Sequence, residues 1–188
     1  MLRYNDIPNL ISLLRMVLVV PLAVLLLQQR YLDALLIFGL AGITDALDGF
    51  LAKRHGWKSR LGSILDPLAD KLLLTSSYLV LAWLGVLPLW LVAAIVARDF
   101  IIVLGAVAYH YTIRHFDLLP SRISKLNTVM QIVLVLAVML HHSVLPGIGG
   151  GVEALIYIVL GTTLASGVHY VWTWGTRALQ TSTESTRV

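Results

Sequence analysis

Four aspartates carry the chemistry available to this chain. Asp45 and Asp48 stand three apart within Ile43-Thr-Asp-Ala-Leu-Asp-Gly-Phe-Leu-Ala-Lys53, and Asp66 and Asp70 stand four apart within Asp66-Pro-Leu-Ala-Asp70. On helices each pair shares a face. Together they are four of the ten acidic residues. Carboxylates held close raise one another's proton affinity unless positive charge is supplied. Lys71, Arg98 and Lys125 are candidate sources of that charge; two divalent cations would also cancel it. Oxygen donors without His or Cys suit magnesium, manganese or calcium. Two such ions a few ångströms apart commonly clamp a phosphoryl transfer. The blander reading is that aspartates at helix ends are caps or solvated residues. Asp66 ahead of Pro67 has the form of a cap, because proline suits a first helical turn. Capping accounts for one aspartate more easily than for four at this spacing, with the small Gly49 and Ala52 beside them.

The elements that position these residues follow from composition. Of the 188 residues 58% are hydrophobic and 13% charged, about half the charged fraction of a typical soluble domain. That balance points to an integral membrane protein. The absence of cysteine excludes disulfides, thiolate metal sites and cysteine nucleophiles. The N-terminal apolar stretch ends in Leu25-Leu-Leu-Gln-Gln-Arg30 without a small-residue cleavage site, so a cleavable signal is not expected. Nor is there an Arg- and Ser-rich import leader, and a bacterial protein is the simpler expectation.

A membrane span needs about 20 apolar residues. Six stretches qualify, at Asn9–Leu27, Leu32–Leu51, Ile64–Leu84, Pro88–His110, Ile123–Leu145 and Val152–Trp174. The alternating ten-residue segments of a membrane barrel are absent, so an all-α membrane protein with six transmembrane helices is expected. Lys and Arg gather in alternate connections: Lys53, Arg54, Lys58 and Arg60 in the second, Arg114 and Arg122 in the fourth. The positive-inside rule then places both termini in the cytoplasm and all four aspartates at the cytoplasmic ends of spans two and three. The short connection through Gly56 and Gly62 makes those spans antiparallel neighbours, so the carboxylates can converge. Residues 1–178 read as one membrane domain and 179–188 as a polar tail, frayed from Thr181. Pro146–Gly151 reads as a flexible outer loop. The six histidines read as interfacial, and Trp83, Trp90, Trp172 and Trp174 as an aromatic belt.

With its spacing intact, Asp45-x-x-Asp48-Gly49-x-x-Ala52-Lys53, eight residues, then Gly62-x-x-x-Asp66-x-x-x-Asp70 resembles the signature of the CDP-alcohol phosphatidyltransferases. The resemblance implies that CDP-diacylglycerol gives its phosphatidyl group to an alcohol and CMP leaves. It implies that Asp45, Asp48, Asp66 and Asp70 hold two Mg2+ or Mn2+ ions, and that Asp70 is the general base. Asp45, Gly49, Ala52, Lys53 and Gly62 would receive the CDP end of the donor. Lys53 departs from the arginine usual in the family, which weakens bidentate phosphate contact there. The resemblance also implies a homodimer in the bacterial inner membrane, among membrane lipids and without nucleic acid, its active site on the cytoplasmic side.

Two subfamilies differ in the acceptor. Phosphatidylglycerophosphate synthases use glycerol 3-phosphate; they resemble this chain in Ile7-Pro-Asn9 and Arg15. They usually carry further basic residues where Ala106 and Asn127 stand here. The CMP-forming cardiolipin synthases resemble it in Leu40-Ala-Gly-Ile-Thr-Asp45, Leu61–Lys71, Arg98-Asp99 and Ile123–Thr128. Their acceptor, phosphatidylglycerol, is a phosphodiester and suits fewer cations, so it is the expected one. Arg98, Lys125 and Thr128 are the candidate acceptor contacts. For Arg98 the alternative is a structural pair with Asp99; for the polar stripe of Lys125, Thr128 and Gln131 it is bonding between helices. Outside this class, intramembrane acids also mark transporters, whose sites sit near the bilayer midplane. Asp-rich prenyltransferases are a third possibility, with more spans and a longer gap between motifs.

Overall fold

A computed structural model describes the backbone of residues 7–55, 62–112 and 122–185, and side chains within 11–45, 65–105 and 122–173. Among the described residues every regular element is helical: α1 (Ile7–Leu27), α2 (Tyr31–His55), α3 (Gly62–Trp83), α4 (Leu89–Thr112), α5 (Arg122–Ser143) and α6 (Gly149–Ser185). Each apolar stretch of the sequence falls on one helix. Two stretches, Arg122–Ser143 and Pro146–Thr173, are long and apolar enough to cross a membrane by length and composition.

Three local expectations change. Pro146–Ile148 forms a single 3₁₀ turn and the glycines after it open α6. The expected loop shrinks because Leu145 N–H bonds the Leu140 carbonyl at 3.0 Å and Ile148 N–H the Leu145 carbonyl at 3.2 Å. A Cβ at Gly149 would lie 3.2 Å from the His141 ring, a tight contact that glycine avoids. The polar tail is helical as far as Ser185, since nothing after Gly175 interrupts a helix begun upstream. Asp66 caps nothing: α3 begins four residues earlier, at Gly62.

The chain forms two compact units. The first comprises residues 1–88 and 135–152, the second 89–134 and 153–188. In the first, α1 packs on both α2 and α3. Two sharp stops make this compact. α1 ends where Arg30 N–H reaches the Leu25 carbonyl (2.9 Å) and Gln29 N–H the Leu26 carbonyl (2.8 Å), with Gln29 left-handed at φ 57°. α3 ends the same way, with Val86 N–H on Leu81 (2.9 Å), Gly85 N–H on Ala82 (3.0 Å) and Gly85 at φ 71°. Both are Schellman turns, which satisfy carbonyls a helix end leaves open.

Unlike those of a soluble bundle, these helices carry apolar residues on their outer faces as well as in the core. α1 buries Ser12 and Arg15 along with Leu22 and Leu26, and exposes Leu13, Leu14, Val17, Val20 and Val24. Leu36 and Leu40 of α2, Leu72 and Leu79 of α3, and Val168 and Val171 of α6 are likewise exposed. A water-facing helix carries polar residues on that side; apolar residues there lose nothing against hydrocarbon.

Candidate functional site

Three helices of the first unit build the site around Arg15. This residue sits two turns into α1 and its side chain is only 1% exposed. Its Nη2 lies 2.7 Å from Asp45 Oδ1 of α2, and its Nη1 donates to Asp70 Oδ1 of α3. Three residues earlier on the same face of α1, Ser12 Oγ donates to Asp66 Oδ1. The i, i+3 spacing of Ser12 and Arg15 matches the i, i+4 spacing of Asp66 and Asp70, so α1 presents one hydroxyl and one guanidinium to two carboxylates. A buried arginine among apolar residues is tolerable only because acids neutralise it.

The carboxylates are not sealed in. Asp45 and Asp70 are 42% and 44% exposed although the arginine between them is buried. Each therefore offers oxygen to the outside while one oxygen is held from within. This is how the structure brings together Asp45, Asp66 and Asp70, three of the four aspartates singled out from sequence. Asp48 lies one turn beyond Asp45 on α2, with its side chain outside the described residues, as are those of Ala52 and Lys53 and the surroundings of Gly49 and Gly62. The side chain of Ala106, on α4, is outside them too.

The counter-charge seen on Asp45 and Asp70 is Arg15, which stands beside the candidates Lys71, Arg98 and Lys125 drawn from the sequence. The signal was present, since a lone arginine inside an apolar helix needs an acid partner. Arg98 is engaged within the second unit. Its Nη1 is 2.9 Å from Asp99 Oδ1, and its Nη2 donates to Ser124 Oγ of α5 and Ser166 Oγ of α6, both at 2.6 Å. The Tyr170 ring lies 5.9 Å away, within cation–π range. Arg98 thus pairs with Asp99 and ties α4, α5 and α6 together. Asn127, fully buried, accepts from Thr162 (2.8 Å) and Thr163 (3.0 Å) of α6. Thr128 donates to its own helix at the Ser124 carbonyl (3.2 Å), and Lys125 is exposed. Arg98 also borders an apolar cavity of about 740 Å³ between α4 and α6, with Ala97, Thr163, Gly167, Val171 and Trp172.

Among the described residues no three acidic or histidine side chains are arranged around a common metal position. The donor chemistry nevertheless fits a hard cation. Asp45, Asp66 and Asp70 are carboxylates from two helices that both pack on α1, Asp45 and Asp70 are open to the outside, and Arg15 balances one of three charges. Sulfur and imidazole are missing from the set, as magnesium or manganese prefers.

This arrangement belongs to a recognised class of membrane transferase. A family model described as CDP-alcohol phosphatidyltransferase matches residues 5–172, and the chain belongs to that family. Similar proteins include a cardiolipin synthase (CMP-forming) of Rattus norvegicus, 38% identical over 147 residues, which are 70% of this chain and 49% of that protein. A probable phosphatidylglycerophosphate synthase of Mycobacterium tuberculosis is 32% identical over 181 residues, 90% of this chain and 81% of its own. The chloroplastic CDP-diacylglycerol–glycerol-3-phosphate 3-phosphatidyltransferase 1 of Oryza sativa subsp. japonica is 34% identical over 190 residues, 89% of this chain and 56% of that one. The chain spans about half the length of the cardiolipin synthase it matches.

Proposed function

We propose that this chain is a six-span membrane enzyme, termini in the cytoplasm, that transfers the phosphatidyl group of CDP-diacylglycerol to phosphatidylglycerol. The products are cardiolipin and CMP. The observation that carries the reading is the convergence of Asp45 and Asp70 on buried Arg15 with both carboxylates still open. Asp45, Asp48, Asp66 and Asp70 would hold two Mg2+ or Mn2+ ions, which when bound neutralise the donor diphosphate. Arg15 fixes Asp70 through Oδ1, leaving the rest of the carboxylate to take the proton of the acceptor hydroxyl. That oxygen then forms the new bond to the phosphatidyl phosphorus as the bond to CMP breaks. Gly49, Ala52, Lys53 and Gly62, with Asp45, receive the nucleotide end. The outward apolar faces keep the lipid tails in hydrocarbon while the diphosphate meets the cytoplasmic face of a bacterial inner membrane. A homodimer is the proposed assembly.

Phosphatidylglycerol is favoured as acceptor by charge. Asp99 cancels Arg98, and Asn127, where a second cation would suit a phosphate monoester, is neutral and engaged with threonines. Lys125 and Thr128 remain the proposed acceptor contacts, while Arg98 acts by holding their helix in place. The cardiolipin synthases among its relatives support this. Glycerol 3-phosphate is the second reading, favoured by the Mycobacterium protein, matched over 81% of its length. The test is an acceptor competition on purified protein with CDP-diacylglycerol and Mg2+ or Mn2+, read by lipid mass spectrometry. Cardiolipin with CMP is expected. Phosphatidylglycerophosphate would transfer the reading to the second acceptor, and absence of CMP release with every alcohol would reopen the transporter and prenyltransferase readings.

A further inference from the structure

We propose that Arg15 is a built-in counter-ion that competes with divalent cations for Asp45 and Asp70, and so sets how tightly the site binds metal. The inference rests on the reading of the four aspartates as metal ligands. Like-charged carboxylates brought close from two helices repel, and a protein free of metal must hold them together by some other charge. The guanidinium does so from the inner side, its two terminal nitrogens divided between two helices. At 1% exposure its side chain lies on the inner side of the two carboxylates, away from the side they open to. A cation bound to the same carboxylates must therefore share them with a permanent positive charge. The consequence is weakened metal affinity in exchange for a pre-aligned pair. Arg15 is a positioning residue, because it acts through Asp45 and Asp70.

The experiment measures Mn2+ binding to the purified full-length protein by electron paramagnetic resonance, without lipid substrate, for wild type, Arg15→Gln and Arg15→Lys. Arg15→Gln should bind Mn2+ at least tenfold more tightly while losing transferase activity. Arg15→Lys keeps the charge but reaches one carboxylate at a time, and should stay within a few-fold of wild type. If Arg15→Gln is soluble only when purified with Mn2+, the metal is replacing the missing charge, which supports the proposal, and Arg15→Lys then carries the affinity comparison. Unchanged or weaker binding in Arg15→Gln overturns the counter-ion role while leaving the metal site standing. No Mn2+ binding by wild type overturns both.

Discussion

Each unit of the molecule is organised around one buried arginine, and the two differ in what their partners face. Arg15 is sealed, but Asp45 and Asp70 are each more than two-fifths exposed. Arg98 is 7% exposed and Asp99 only 16%, and its remaining bonds go to serine hydroxyls on neighbouring helices. The first arginine shapes groups that a ligand can reach. The second satisfies groups that none need reach, beside a cavity with an apolar lining. A buried arginine is thus not functional or structural by itself; the exposure of its partners decides. The same lesson applies to Asn127, which would pass for a recognition residue until its carbonyl is seen to be occupied by Thr162 and Thr163.

The contrast predicts two kinds of mutational effect. Asp70→Asn, in the open cluster, should lower CMP release about 10²–10⁴-fold, the range of a lost general base. Donor binding, measured by retention of labelled CDP-diacylglycerol, should persist. Full activity in that variant would remove Asp70 from the chemistry and erase the distinction between the clusters. Arg98→Leu should act on stability, because it removes the ion pair to Asp99 and the bonds to Ser124 and Ser166 that join three helices. A loss of about 3–5 kcal/mol is expected, as for breaking a buried pair, read as a lower melting temperature in detergent. The metal dependence of whatever activity survives should match wild type. A shifted metal requirement would mean that Arg98 belongs to the reaction.

Asn127→Ala sharpens the contrast at smaller scale. Two threonine bonds are lost, yet Thr162 already reaches the Val159 carbonyl at 3.1 Å. A cost of about 0.6–1.7 kcal/mol is expected, the span of hydrogen bonds measured between membrane helices. A large change in acceptor preference with little loss of stability would instead make Asn127 a specificity residue. The smallest effect belongs to a position outside both clusters. Gln29 is left-handed at φ 57°, where glycine avoids a strain of about 1 kcal/mol. Gln29→Gly should raise the melting temperature slightly and leave turnover unchanged. A fall in turnover would show that the α1–α2 turn couples to the cluster carried on those helices.

Much of this was legible in the order of residues. Apolar stretches of about 20 residues announce helices because hydrocarbon burial and the 1.5 Å rise of a helix require that length. The aspartate spacing announces a shared face because a helix turns every 3.6 residues. The family signature is a pattern of spacing too, and the match over residues 5–172 agrees with it. Absence of cysteine and scarcity of charge needed no coordinates. Pro146–Gly151 misled, because a 3₁₀ turn closed by backbone bonds at Leu145 and Ile148 leads straight into α6 at Gly149.

What the linear order could not decide was pairing. Arg15 precedes Asp45 by 30 residues and Asp70 by 55, and several other cations were equally available to those acids. Packing α1 against both α2 and α3 made the choice. It did so because a guanidinium carried into an apolar interior must find carboxylates there, whereas Arg98 met Asp99, serines and a tyrosine ring on its own side of the chain's division. Local periodicity and composition act over one or two turns and are written in the sequence. Charge compensation acts across helices, and only the tertiary structure determines which charges meet.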